Sequence, residues 1–227
     1  MARYNAFTLA EVLITLGIIG VAAALTIPGL IANHKKKVVT VRMEKFYSVM
    51  NQACRMSVVE NTEEGFAGAL ENVSTLSTSN QEIMDWYNEY LGKYIKTTKL
   101  SKINDGIIGA LADGSGFVII YSGHSTFCPV YEKCEQSLKN VSNSGLTLFT
   151  SKMDGKNTFG FILRGNGSFK TYDVCWDGTR EGAIKLGSPS CSYGDADKYG
   201  CADKHKLCSK LIEIDGWEIK DDYPIGF

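Results

Sequence analysis

One carboxylate, Glu11, stands at the mouth of an apolar run from Val12 to Ala32 that is interrupted only by Thr15, Thr26, a few glycines and Pro28. A charge at a bilayer centre costs about 2.5–3.5 kcal/mol on insertion scales, so an acid beside such a run marks a functional position. The run is flanked by a short leader carrying Arg3 and by the triplet Lys35 to Lys37. Two ordinary readings compete. A secretory signal peptide would be cut near the small residues Ala22-Ala23-Ala24. A plain anchor would use the ~20 apolar residues needed to span a bilayer. Neither accounts for Glu11.

Cysteine is the second residue type with chemistry to offer. The chain has seven, and with an export-type N-terminus they read as a disulfide framework in an oxidising compartment. Cys128 and Cys134 bracket a short segment and are expected to pair. Cys175, Cys191, Cys201 and Cys208 can pair in three ways, which sequence leaves open. Cys54 lies beside an apolar helical stripe, as a buried free thiol or as a staple to the rest of the domain. The spacings lack a CxxC knuckle, which argues against zinc.

Asp195, Asp197 and Asp203 cluster among glycines near the C-terminus, a set of oxygen ligands that suits calcium, although the spacing is not that of an EF-hand; a solvated acidic turn is the alternative. No other cofactor is indicated. His34, His124 and His205 are scattered, with no serine elbow, phosphate loop or metalloprotease motif beside them, so the chain reads as a non-enzyme. Net charge is −1. The basic cluster of Lys35, Lys36, Lys37 and Arg42 adjoins the apolar run, where phospholipid head groups are the ordinary partner, which argues against nucleic acid.

The elements that must position these residues follow from periodicity. Val39, Met43, Phe46, Met50 and Ala53 recur at spacings of four, three, four and three, so the helix that starts near Thr8 is expected to continue to about Glu60, roughly 80 Å in all. Pro28 is expected to kink it. Residues 61–79 read as loop. Ser79-Asn80-Gln81-Glu82 has the spelling of a capping box, and a second helix to about Ile95 should bury Met84, Tyr87, Leu91 and Tyr94, leaving Trp86 and Tyr90 off the stripe. Ile107–Leu111, Phe117–Tyr121, Leu146–Ser151, Phe159–Leu163 and Ser168–Tyr172 read as strands of an antiparallel meander, with a hairpin at Gly165-Asn166-Gly167. The tail from Cys175 is irregular, with a short helix over 202–212, and Trp217, Tyr223 and Pro224 are expected to pack back on the domain. The fold class is therefore α+β: a long N-terminal helical spine, an antiparallel sheet and a cysteine-rich C-terminal region.

The segment Ala6-Phe7-Thr8-Leu9-Ala10-Glu11, with the apolar run and Pro28 behind it, resembles the N-terminus of type IV pilins and type II secretion pseudopilins, the prepilin class. The resemblance covers residues 5 to about 30. It departs from the family at Ala6, where glycine is usual, and at Ala10, where a larger aliphatic is typical. It implies that a prepilin peptidase cuts between Ala6 and Phe7 and methylates the new Phe7 amine, and that Glu11 is the fifth mature residue and serves assembly. The implied organisation is a leader over 1–6, a transmembrane or filament-core helix over 7–32, its amphipathic continuation over 33–60 and a pilin-like head over 61–227. Some pseudopilin heads hold calcium in their C-terminal loop. The expected setting is the bacterial inner membrane, single-pass, with the head on the extracytoplasmic side. Other pilin or pseudopilin subunits and the secretion or pilus assembly platform are the implied partners, in a homo- or hetero-polymer. A minor subunit at a filament tip, binding exported substrate, a surface or DNA, is the alternative.

Overall fold

A computed structural model describes residues 8–62, 64–66, 69, 80–185 and 199–227. Helix α1 spans Leu9–Asn61, 53 residues in one unbroken element that passes through Pro28. Its second half carries the expected stripe: Val39, Met43, Phe46, Met50 and Ala53 are buried, and Cys54 and Ser57 extend the face by one turn. Phe46 is the anchor. Its ring stacks on Phe127 at 4.9 Å and meets Phe161 and Phe169 edge-on at 5.4 and 5.5 Å, a geometry in which aromatic pairs gain beyond area burial.

Those partners belong to a six-stranded antiparallel sheet in simple sequential order: β1 (Thr97–Ile103), β2 (Gly106–Leu111), β3 (Gly116–Ile120), β4 (His124–Cys128), β5 (Phe159–Leu163) and β6 (Phe169–Thr171). Alternation along each strand assigns two faces. Phe117, Phe127 and Phe159 are in direct register across β3, β4 and β5 and lie on the α1 side. Val118, Ile120, His124 and Ile162 point to the other side. Strands β2, β3 and β5 are almost wholly buried, because both faces are covered. The β5–β6 hairpin forms where its turn residues indicate. Gly167 takes φ +73, and Asn166 Oδ1 accepts the Ser168 N–H at 3.1 Å.

Several expectations are corrected. Leu146–Ser151 is not a strand. It forms helix α4 (Gly145–Ser151), after α3 (Tyr131–Lys139), on the face of the sheet away from α1. The physical cause is a double cap. Ser144 Oγ accepts the Thr147 N–H at 3.1 Å, and the Asp105 carboxylate, forty residues earlier, accepts the Gly145 and Leu146 N–H groups at 2.7 and 2.8 Å. The meander gains β1, a polar edge strand carrying Lys99 and Lys102, and β4, spelled with Ser125 and Thr126.

Helix α2 (Asn80–Tyr90) is shorter than expected, and its buried face is rotated by a residue. Ile83, Trp86, Tyr87 and Leu91 are buried and Tyr90 is half-buried, because Phe66, inside the segment read as loop, packs against Trp86 and Tyr90. Ser79 of the capping-box spelling lies outside the described residues. In the tail, α5 (Arg180–Ile184) and α6 (Cys208–Ile214) replace the single helix expected over 202–212. Trp217 packs on Tyr47 of α1 at 5.2 Å, and the Tyr223 hydroxyl donates to the Gly155 carbonyl at 2.5 Å.

The cysteines largely follow their spacing. Cys128 is bonded to Cys134, joining the end of β4 to the first turns of α3, and Cys201 is bonded to Cys208. The second bridge selects among the three pairings left open for the tail. Cys175 is also disulfide-bonded, and Cys191 lies outside the described residues. Cys54 is the buried free thiol and not a staple. Arg180 ties the tail together, with a bidentate pair to Asp215 at 2.6 and 2.8 Å and a second to Asp222 at 2.8 Å, while Lys220 reaches Asp215 at 2.8 Å.

Candidate functional site

The first turn of α1 is built by Thr8 and Glu11. Thr8 is the N-cap, and its Oγ1 accepts the Glu11 N–H at 3.3 Å. In return Glu11 Oε2 accepts from the Thr8 N–H at 2.8 Å and from the Thr8 hydroxyl at 2.7 Å. This is a capping box, and the spacing Thr-x-x-Glu spells it in the sequence. The carboxylate therefore has a local role that the apolar run alone did not suggest: it closes the start of the helix and lies at the positive end of its dipole. Both bonds fall on Oε2, and an ionised carboxylate has about four lone-pair positions, so Glu11 retains capacity for a further donor at Oε1.

Behind Glu11 the helix is bare. Leu9, Val12, Leu13, Ile14, Leu16, Ile18, Ile19, Val21, Leu25, Ile27, Leu30 and Ile31 are all exposed. The helix is long and apolar enough to cross a membrane, and none of its most apolar eighteen-residue window is buried within the chain. Fully burying one such side chain is worth about 1.5–3 kcal/mol, so these twelve together represent on the order of 20 kcal/mol. That exceeds the roughly 5–15 kcal/mol stability of an ordinary domain. This half of the helix carries the apolar surface of a membrane span with nothing in the chain covering it. Burial begins at Val39, after the lysines, and Lys36 lies 3.6 Å from Asp221 of the tail.

Gly17 and Gly20 have open space where a Cβ would stand, so another helix can approach the backbone there. Ala6 and Phe7, the residues of the expected cleavage and methylation, lie outside the described residues. So do Asp195 and Asp197 of the expected calcium set. Asp203 is exposed on the turn before α6, where its N–H donates to the Gly200 carbonyl at 3.3 Å. Among the described residues no three His, Cys, Asp or Glu side chains are grouped to hold a metal ion. The histidines are separate: His205 Nδ1 is 2.6 Å from the Cys201 carbonyl, His34 is exposed on α1, and His124 is on β4.

A family model matches residues 29–227. The chain belongs to DUF6613, a family of unknown function. The DUF6613 match starts at Gly29, immediately after Pro28, and takes in the buried half of α1, the whole sheet and the tail. Thr8 and Glu11 precede it. No curated protein matches the chain, and no solved structure does.

Proposed function

We propose that this DUF6613 chain is a structural, non-enzymatic subunit of a type II secretion pseudopilus or type IV pilus-like filament. The observation that supports this most is the bare, membrane-length half of α1, continuous with the helix that forms the spine of the head. A disposable signal peptide has no need to share one helix with a domain core.

In this reading the apolar half holds the subunit in the bacterial inner membrane with the head outside. Prepilin peptidase removes residues 1–6 and methylates the Phe7 amine. While the subunit waits, Thr8 keeps Glu11 hydrogen-bonded, which lowers the cost of carrying an acid at the edge of hydrocarbon. On assembly the Phe7 amine of a neighbouring subunit pairs with Glu11, and the pair sets axial register. The apolar helices then bundle, meeting at Gly17, Gly20 and Ala22–Ala24, with Pro28 and Gly29 as the place where the helix bends. A minor subunit at the tip is the second reading. Immunogold labelling at tips instead of shafts would select it.

Two substitutions separate assembly from capping. Glu11→Ala should insert in the membrane but not assemble. Glu11→Gln keeps the cap, since glutamine serves in a capping box, yet removes the charge, and should also fail to assemble. Normal filament yield from Glu11→Gln would confine Glu11 to its capping role.

A further inference from the structure

On the face of the sheet away from α1, a cavity of about 400 Å³ opens between β4, α4 and the segments that follow β6 and precede α6. Its walls are aromatic. The Phe149 ring meets His124 edge-on at 4.8 Å and Tyr172 edge-on at 5.0 Å, and Tyr172 continues to Tyr199 at 6.4 Å. Lys206 is only 4 % exposed, and its ammonium sits 5.0 Å from the Phe149 ring centre and 4.7 Å from that of Tyr199. Among the described residues no carboxylate pairs with it.

The charges around the cavity define what it would accept. Arg164 also lines it, but Asp173 neutralises that guanidinium at 2.7 Å. Burial, then Lys206 and Arg164, pull the His124 imidazole down to about 4, so it is neutral at pH 7. Burial and then Lys204 pull Lys206 down to about 8, so it remains largely protonated at pH 7. Among the described residues one positive charge is left without a carboxylate, inside an aromatic cavity large enough for a small molecule. A buried charge is ordinarily paired, and an unpaired one is a place for an incoming partner of opposite sign.

We propose that this cavity binds a small aromatic monocarboxylate, its carboxylate on the Lys206 ammonium and its ring against Phe149, Tyr172 and Tyr199. The site belongs to the head and does not depend on whether the chain forms filaments. The probe is 2-naphthoate, titrated calorimetrically into the full chain in lipid nanodiscs at pH 7, with empty nanodiscs subtracted. Saturable binding is expected, at least tenfold tighter than that of the uncharged 2-naphthalenemethanol, and weakened at least tenfold by Lys206→Met. In the unaltered protein, 2-naphthoate should slow acetylation of Lys206 and leave that of Lys204 unchanged, read by peptide mass spectrometry. Equal binding of acid and alcohol, undiminished binding by Lys206→Met, or acetylation of Lys206 unaffected by millimolar 2-naphthoate would each overturn the proposal.

Discussion

Replacing Lys206 with methionine should make the head more stable. The depression of its ammonium from 10.5 to about 8 corresponds to about 3 kcal/mol spent at pH 7 to keep a charge where water is excluded. The contacts with Phe149 and Tyr199 return about 1–2 kcal/mol of that. Methionine preserves most of the aliphatic stem and removes the charge, so the net gain at pH 7 is about 1–2 kcal/mol. The pH dependence gives an independent check. Because the folded-state value lies below the unfolded one, the unfolded chain binds more protons between about 8 and 10.5, and wild-type stability rises with pH across that window. The advantage of Lys206→Met is therefore complete near pH 7 and shrinks as the pH rises past 8 towards 10. Guanidinium titrations of both full chains in nanodiscs, followed by tryptophan fluorescence, measure the difference. A less stable variant at pH 7, or a difference that does not change between pH 7 and 10, would refute the reasoning.

Arg180→Leu should cost about 1.5–3 kcal/mol, because it strips the bidentate partner from Asp215, whose side chain is only 4 % exposed, and leaves Lys220 as its remaining counter-charge. Burial raises Asp215, but Arg180 and Lys220 outweigh it and hold the carboxyl below its usual value; the stability from this pair is present above about pH 4 and lost as the pH falls through the folded value, so the two proteins should converge in acid denaturation curves. Cys54 is buried and its thiol is pushed up to about 12 by desolvation, so the native chain should resist iodoacetamide at pH 8 and yield one reactive thiol only after denaturation, counted by intact mass.

The legibility of this fold tracked how local its causes are. The stripe from Val39 to Ala53 could be read because one helix face carries it, and β2, β3 and β5 could be read because burial on both faces demands β-branched and aromatic residues in a row. Edge strand β1, with its lysines, has no such run. The Ser-Thr pair of β4 is buried through its neighbours, not its own composition. Helix α4 escapes a local reading because Ser144 supplies only part of its cap and the rest comes from Asp105, a partner no local pattern reveals. The buried face of α2 differs from its apolar stripe because Phe66 covers Trp86 from a segment that reads as polar.

The two sites differ in the same way. Glu11 announces itself, since an acid beside an apolar run is visible in one line of sequence, and its capping role was spelled by Thr8 three residues earlier. The Lys206 cavity gathers side chains from β4, α4 and both sides of the tail. Only the layering of α4 and the tail on the open face of the sheet brings them together.

Assembly through Glu11 requires that the chain begin at Phe7 in its working form. Intact-mass and N-terminal peptide mass spectrometry of the protein purified from its native membrane measures this directly. An N-methylated Phe7 terminus with the apolar helix retained is the expected result. A terminus at Leu25 would mean that ordinary signal peptidase removes the segment containing Glu11, and would contradict the filament reading.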